Sequence, residues 1–288
     1  MVPYERLRRT DGWAELGEPV RPRQNVHGQG ADYRAGDLLI SAGTALRSPH
    51  AHLLATCGAP GAWVRRRCAW ALAATGDELV AIQAAPLPHQ IRRSNGAAIG
   101  AEAQAWGQAP QAERLLPDDA AALAAGITAL AAGRDALVLT GGVSQGAFDL
   151  LPKTLEALGA RMQFHGVAQK PGKPFWFGIL PGGVRVFSLP GNPVASLVAF
   201  RRFVLPALLR FEGRASEPRL LSVRDLRPAG GALTHFIPVQ RTPVGHRPVP
   251  PGGSGDLRPL ALSEGFVEVD PGWDGSALLP YFPWGRVD

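Results

Sequence analysis

Asp135-Ala136-Leu137-Val138-Leu139-Thr140-Gly141-Gly142-Val143-Ser144-Gln145-Gly146-Ala147-Phe148-Asp149-Leu150 reads as a strand that breaks into a glycine-rich turn and continues as a helix. The apolar run suits a strand buried on both faces, as in a parallel sheet, and Leu150–Leu158 reads as a helix stopped at Gly159. Strand, turn and helix in that order form part of a βαβ unit, so the fold depends on whether the same texture recurs on either side.

It recurs in both directions. Upstream, Cys68–Ala74 reads as a strand, and a helix with Ser94 as N-cap runs through Ala105 to a stop at Gly107. Asp118 or Asp119 caps a second, alanine-rich helix reaching Ala132. Downstream, strands at Met162–Val167, Phe175–Ile179 and Val184–Leu189 lead to Pro193, whose missing N–H suits the first turn of a long helix ending at Phe211. Residues 63–213 are therefore expected to form an α/β domain with a mainly parallel sheet. Residues 1–62 are expected to be a β-rich segment of strands and turns, with a strand-like run at Leu38–Ile40 and a turn at Ala42-Gly43-Thr44. Residues 214–288, rich in Pro and Gly with short runs at Leu220–Val223, Phe236–Gln240 and Gly265–Val269, predict a small β-domain.

Composition narrows the function classes. An apolar fraction of 45% against a charged fraction of 19% belongs to a folded chain and argues against disorder. The net charge of +6 favours anionic partners such as phosphates, but the one compact basic cluster, Arg65-Arg66-Arg67, leads straight into an apolar strand and is no nucleic-acid stripe. No apolar run is long enough to span a bilayer, and the first residues lack the basic stretch and apolar core of an export signal. Cys57 and Cys68 have neither metal nor redox spacing, which suits a reducing cytoplasm and structural thiols. The seven histidines show no zinc spacing.

Four loops fall at strand ends or helix starts of the α/β unit: Thr75-Gly76-Asp77-Glu78, Gly141 to Asp149, Lys170-Pro171-Gly172-Lys173-Pro174, and Pro190-Gly191-Asn192-Pro193. Ligands of parallel sheets bind outside the carboxyl ends of the strands, so these loops are candidates for one shared pocket. Gly141, Gly142 and Gly146 let backbone approach a ligand closely, and the N–H groups at a helix start favour anionic oxygens. Lys170 and Lys173 add point charges for an oxyanion such as phosphate, while Asp77, Glu78 and Asp149 supply the hard oxygens that Mg²⁺ prefers. Each loop alone also reads as an ordinary turn or cap; their combination points to nucleotide or phosphoryl-type chemistry.

Together the Thr75–Leu79 segment, the Gly-Gly-Val-Ser-X-Gly-X-X-Asp segment at 141–149, the Lys170–Pro174 segment and Leu189-Pro190-Gly191-Asn192-Pro193-Val194 resemble the molybdopterin-binding domain of the MoeA and gephyrin E-domain family. The likeness extends outward. Gln24-Asn25-Val26 through Gly30, Asp32, Ala35-Gly36 and Ala42-Gly43-Thr44 resembles that family's segment just upstream, and Ser254-Gly255-Asp256 resembles its C-terminal Ser-Gly loop. Arg93 stands where the family usually has an acidic residue, Phe236-Ile237-Pro238 replaces a Phe-Leu-Arg-like run, and the family's N-terminal region lies outside this chain.

The resemblance implies a MogA-like molybdopterin-binding domain between a partial β-rich segment and a small β-domain. It also implies insertion of molybdenum into adenylylated molybdopterin, with release of AMP and a need for Mg²⁺. Asp77, Glu78 and Asp149 would then be the catalytic and metal-holding residues. Thr75, Gly76, Ser94, Asn95, Gly141, Gly142, Ser144, Gly146, Pro190, Gly191 and Asn192 would bind the pterin nucleotide, with Lys170, Gly172, Lys173 and Ser254 at its anionic groups. The partners implied are the pterin nucleotide and molybdate, with a homodimer or a partner supplying the N-terminal domain, and neither nucleic acid nor membrane. A non-catalytic molybdopterin-binding or scaffold protein stays open beside the enzyme, as does a related α/β domain binding another nucleotide.

Overall fold

The computed structural model describes residues 1–143, 149–227, 230–249, 251–253 and 255–286. The chain divides into two compact units, Met1–Val64 and Arg65–Asp288. The first holds a hairpin of β1 (Leu7–Thr10) and β2 (Trp13–Leu16) and a helix α1 (Ser48–Thr56). No residue of it is buried. Leu38–Ile40, expected as a strand, carries no strand pairing, and α1 occupies a stretch where strands and turns were expected to dominate. Pro49 in the first turn of α1 and the apolar face of Leu53 and Leu54 explain that helix locally.

The second unit is built on six strands: β3 (Trp70–Thr75), β6 (Ala112–Leu116), β7 (Ala136–Thr140), β8 (Arg161–His165), β10 (Trp176–Ile179) and β11 (Arg185–Leu189). They lie in the order β6-β3-β7-β11-β10-β8, the first four parallel, while β10 runs antiparallel to both of its neighbours. Around them, in chain order, come the short parallel pair β4 (Leu79–Val80) and β5 (Ile91–Arg92), then α2 (Asn95–Ala105), α3 (Ala120–Ala131), α4 (Leu150–Ala157) and β9 (Gln169–Lys170). A helix of three joined pieces follows: α5 (Pro193–Ala199), a π-helical turn (Phe200–Val204) and α6 (Leu205–Phe211).

The period-2 alternation of the central strands sorts their side chains into two cores. Trp70, Leu72, Val138, Phe187 and Leu189 face α2 and the long helix, whereas Ala71, Ala73, Leu137, Leu139 and Val186 face Leu123 and Ile127 of α3 and Leu151 and Leu155 of α4. Both faces of the sheet are covered, as continuous apolar strands require. The result is the mainly parallel α/β arrangement expected from the sequence.

The remaining strands, β12 (Arg219–Leu221), β13 (Thr234–Thr242), β14 (Gly245–Pro248), β15 (Gly265–Val269) and β16 (Leu279–Pro283), with α7 (Arg258–Leu262), make a second sheet in the order β12-β16-β15-β13-β14. This sheet shares a core with the first. Val194 and Val198 of α5 pack with Phe236, Phe266 and Phe282, and β9 pairs with β13. Arg201, on the π-helical turn and only 1% exposed, ties the parts further. Its Nε donates to the Pro283 carbonyl at 3.0 Å and lies 3.3 Å from Glu102 Oε1 of α2, and its Nη1 donates to Ser216 Oγ at 3.1 Å. Burial raises the Glu102 carboxyl and lowers the Arg201 guanidinium, so their mutual attraction and hydrogen bonds offset a desolvation cost.

Candidate active site

The carboxyl ends of β3, β7 and β11 lie side by side, with Ala74 and Leu189 both in register with Thr140. Their exit loops therefore leave at one edge. Gly141 has φ +93° and donates its N–H to the Leu189 carbonyl at 3.2 Å. A Cβ there would strike the Thr75 carbonyl oxygen, and a Cβ on Gly142, at φ +56°, would come within 3.1 Å of Thr75 Oγ1. Glycine meets both demands at once, a left-handed backbone and a close approach. A Cβ on Gly191 would lie 3.7 Å from the Gly141 Cα, so the third loop closes against the same turn. Thr75 Oγ1 sits between these loops, buried and without a hydrogen-bond partner among the described residues.

Helix starts gather at the same edge. Ser94 is the N-cap of α2 as expected but makes no side-chain cap bond, and Asn95 Nδ2 donates to the Gly191 carbonyl at 2.8 Å. Asn192 Oδ1 accepts the Ala195 N–H at 3.0 Å and so caps α5. Pro190 and Pro193 flank that cap, which pins the loop.

The acidic residues form a set larger than the sequence suggested. The Asp118 N–H donates to Asp77 Oδ1 at 3.1 Å, and burial raises the Asp118 carboxyl, with the charges of Asp77, Glu78 and Asp149 pushing in the same direction. Asp77, Glu78 and Asp149 are therefore each within electrostatic reach of Asp118. Glu78 folds back over Gly76, where a Cβ would meet its Oε2 at 2.6 Å. Asp149 is the N-cap of α4 and makes no side-chain cap bond to its own helix. Among the described residues no group of three or more His, Cys, Asp or Glu side chains is placed to hold a metal ion.

Asp118 was read from sequence only as a helix cap, a role that falls to Asp119 through its bond with the Ala122 N–H at 2.8 Å. The missed signal was β6, whose Ala-Glu-Arg-Leu-Leu is mostly exposed edge strand and lacks β-branched residues. Recognised as a strand, it would have put Pro117-Asp118 at another carboxyl end of the sheet.

Lys170 and Lys173 are exposed on a loop that docks on the first turn of α5, where a Cβ on Gly172 would meet Gln169 Nε2 at 2.8 Å and the Ala195 carbonyl at 3.6 Å. Lys170 also lies at the seam with the second sheet, in register with His235. Ser144, Gly146 and Ser254 lie outside the described residues. Arg93 is 3.5 Å from Glu113 of β6, so the reversed charge has its own counter-ion. Cys68 is buried, and burial first and Asp135 second push its thiol up to about 12, which leaves it unsuited to nucleophilic work. Among the described residues no helix is long and apolar enough to cross a membrane.

Residues 71–210 match the family model described as "Probable molybdopterin binding domain". A molybdopterin molybdenumtransferase of Synechocystis sp. is 31% identical over 99% of this chain and 73% of its own length. One of Nostoc sp. is 33% identical over 78% of this chain, which spans about half of that relative, 52%. The crystal structure of a molybdopterin biosynthesis MoeA protein from Pyrococcus horikosii superposes with a TM-score of 0.78 at 26% identity, over 99% of this chain and 72% of that one. Likeness of this extent, running through both units and the site loops, makes the chain a member of the molybdopterin molybdenumtransferase family of molybdenum cofactor biosynthesis.

Proposed function

We propose that the chain inserts molybdenum from molybdate into adenylylated molybdopterin, delivering the oxyanion to the dithiolene and releasing AMP. The observation that carries this reading is the convergence of the Thr75, Gly141-Gly142 and Gly191 backbones at the carboxyl ends of three adjacent parallel strands, beside a set of four carboxylates. Gly141, Gly142, Pro190 and Gly191 would cradle the pterin nucleotide by backbone approach, and Gly76, Ser144 and Gly146 are proposed to bind the same ligand. Thr75 Oγ1 offers a donor to it, since no group among the described residues hydrogen-bonds that hydroxyl. Asn192 would act by fixing its loop through the α5 cap, and Ser94 and Asn95 by opening α2 against that loop. Lys170, Gly172, Lys173 and Ser254 would meet the anionic groups of the nucleotide or molybdate.

The carboxylates suit Mg²⁺, which is usually held by one or two acidic side chains together with substrate phosphates rather than by a complete protein cage. One or two of Asp77, Glu78 and Asp149 would hold it jointly with the substrate's phosphates, since no three acidic side chains are gathered for a metal ion among the described residues; when bound, it would reduce the repulsion between these carboxylates and a phosphoanhydride. The chain's own contribution is positioning and electrostatic stabilisation of the leaving AMP, with no covalent nucleophile. Cytoplasmic action, by a homodimer or with a partner supplying further N-terminal residues, fits this reading.

The test is a titration of the 288-residue chain with molybdopterin and with its adenylylated form, followed by Mg²⁺ and molybdate while AMP is measured. Molybdate-dependent AMP release is expected, and Asp77→Ala should lower it by about a hundredfold or more while leaving pterin binding within a few-fold. Binding without turnover would favour a non-catalytic molybdopterin-binding protein, and no binding of either pterin would overturn both readings.

A further inference from the structure

The segment joining the two sheets of the larger unit lines a cavity of about 750 Å³, within the range of pockets that take small molecules. It contains none of the residues assigned to the reaction. Its place in the fold is also different. Arg65 stands just ahead of β3, and α6, which descends from the active edge, ends at Phe211 beneath Arg185, the first residue of β11, whose guanidinium lies 5.0 Å from the Phe211 ring. The cavity therefore belongs to the amino-terminal edge of the parallel strands, opposite the glycine turns.

Four arginines converge on it, Arg65, Arg202, Arg210 and Arg214, against Glu217 and Glu268. Two of them are engaged. Arg202 grips both oxygens of Glu268 at 2.7 and 3.1 Å, and Arg214 Nη1 donates to Glu212 at 3.1 Å and to the Trp106 carbonyl at 3.2 Å. Arg65 and Arg210 have no ion pair or side-chain hydrogen bond among the described residues and the unpaired Glu217 offsets only one of them, so the wall keeps an excess of positive charge. Gly213 makes room for one of them. It sits at φ +73°, and a Cβ there would approach Arg65 Nη1 to 3.3 Å and Cζ to 3.4 Å. Pro280 and Phe282 of β16 supply an apolar side to the same cavity.

An exposed arginine alone holds an anion weakly, but several on one concave wall focus their fields, and the guanidinium fork matches the oxygens of a phosphate. We propose that this cavity is a second, anion-accepting site for a small phosphorylated molecule of up to nucleotide size, with Arg65 and Arg210 as its phosphate ligands. The apolar side formed by Pro280 and Phe282 would receive the ring or sugar of such a ligand.

Calorimetric titration of the full chain with inorganic pyrophosphate tests the anion site, and ADP tests the added ring. Wild-type protein should bind pyrophosphate at about 0.15 M salt, and Arg65→Gln/Arg210→Gln should weaken it by roughly tenfold or more, the loss of charge-assisted hydrogen bonds. Lys170→Gln/Lys173→Gln should leave this binding within about twofold, which separates the site from the one proposed for the reaction. ADP binding tighter than that of pyrophosphate, and lost in the same arginine variant, would support the ring-accepting side. Should the double arginine variant melt early, phenylglyoxal labelling of the wild type takes its place: pyrophosphate should slow modification of Arg65 and Arg210. Unchanged affinity in the arginine variant, no protection of these two residues, or no pyrophosphate binding at that salt would overturn the proposal.

Discussion

Met1–Val64 and Arg65–Asp288 each carry tryptophans, a free cysteine and short strands, yet only the second unit has an interior. Trp13 and Trp63 of the first lie in the open, while Trp70 and Trp176 of the second are at most 2% exposed. Apolar content alone did not produce this difference. A two-stranded hairpin and a nine-residue helix leave their apolar faces without an opposing layer. Six strands covered by helices on both sides enclose two cores, and a shared helix carries a third against the second sheet. Stability should therefore reside almost wholly in the second unit, while both units carry motifs of the same family.

The widest contrast should be in thiol chemistry. A thiol-reactive disulfide reagent is expected to label exposed Cys57 at once and to reach buried Cys68 only after guanidinium is added, read as one and then two thiols per chain. Rapid labelling of both would break the comparison. Trp70→Ala should cost about 3–5 kcal/mol, because it empties a fully buried site and removes the indole bond to the Gln108 carbonyl; Trp13→Ala should stay within about 0.5 kcal/mol, both read from denaturant unfolding. Arg201→Met, which leaves the buried Glu102 without its counter-charge, should cost about 3 kcal/mol, and adding Glu102→Leu should restore much of it.

Smaller effects sharpen the site within the stable unit. Gly141→Ala, forced into a left-handed backbone against the Thr75 carbonyl, should lose about 1–3 kcal/mol and most AMP release, whereas Gly133→Ala, also left-handed but with open space at its Cβ, should lose stability and keep activity. Asp118→Asn should raise the melting temperature slightly at pH 7. A carboxyl whose folded pKa is raised stabilises the fold while protonated and loses that contribution as pH climbs past its folded value, so the gain should vanish in acid below the ordinary carboxylate range. A gain that persists there would mean that neither burial of the charged carboxyl nor its acidic neighbours are the cause.

Legibility followed burial. The central strands, their helices, the Ser94 cap and a cap at Asp118 or Asp119 could be placed from periodicity and turn chemistry, because each strand buried on both faces reads as an apolar run and each cap as a polar break, whereas the Asn192 cap emerged only from the structure. β6 and β16 escaped for opposite reasons. The first is an exposed edge strand with two charged residues, and the second, Leu-Pro-Tyr-Phe-Pro, carries prolines that read as breakers, though both fit where it runs between β12 and β15. Losing β6 hid Asp118 as a fourth carboxylate and concealed Glu113, the counter-ion of Arg93.

The sequence by itself determined the family, the parallel α/β texture and the residue types at the strand ends, since these depend on local pattern and on backbone demands that only glycine, proline or a capping side chain meets. Tertiary structure alone decided which groups share a neighbourhood. It set Gly141 against Thr75, Asp118 beside Asp77, and Arg65 against Gly213, a pair 148 positions apart in the chain. The reason is that sheet order and helix direction, which no single segment encodes, bring separate strand ends to one edge and separate arginines to the other.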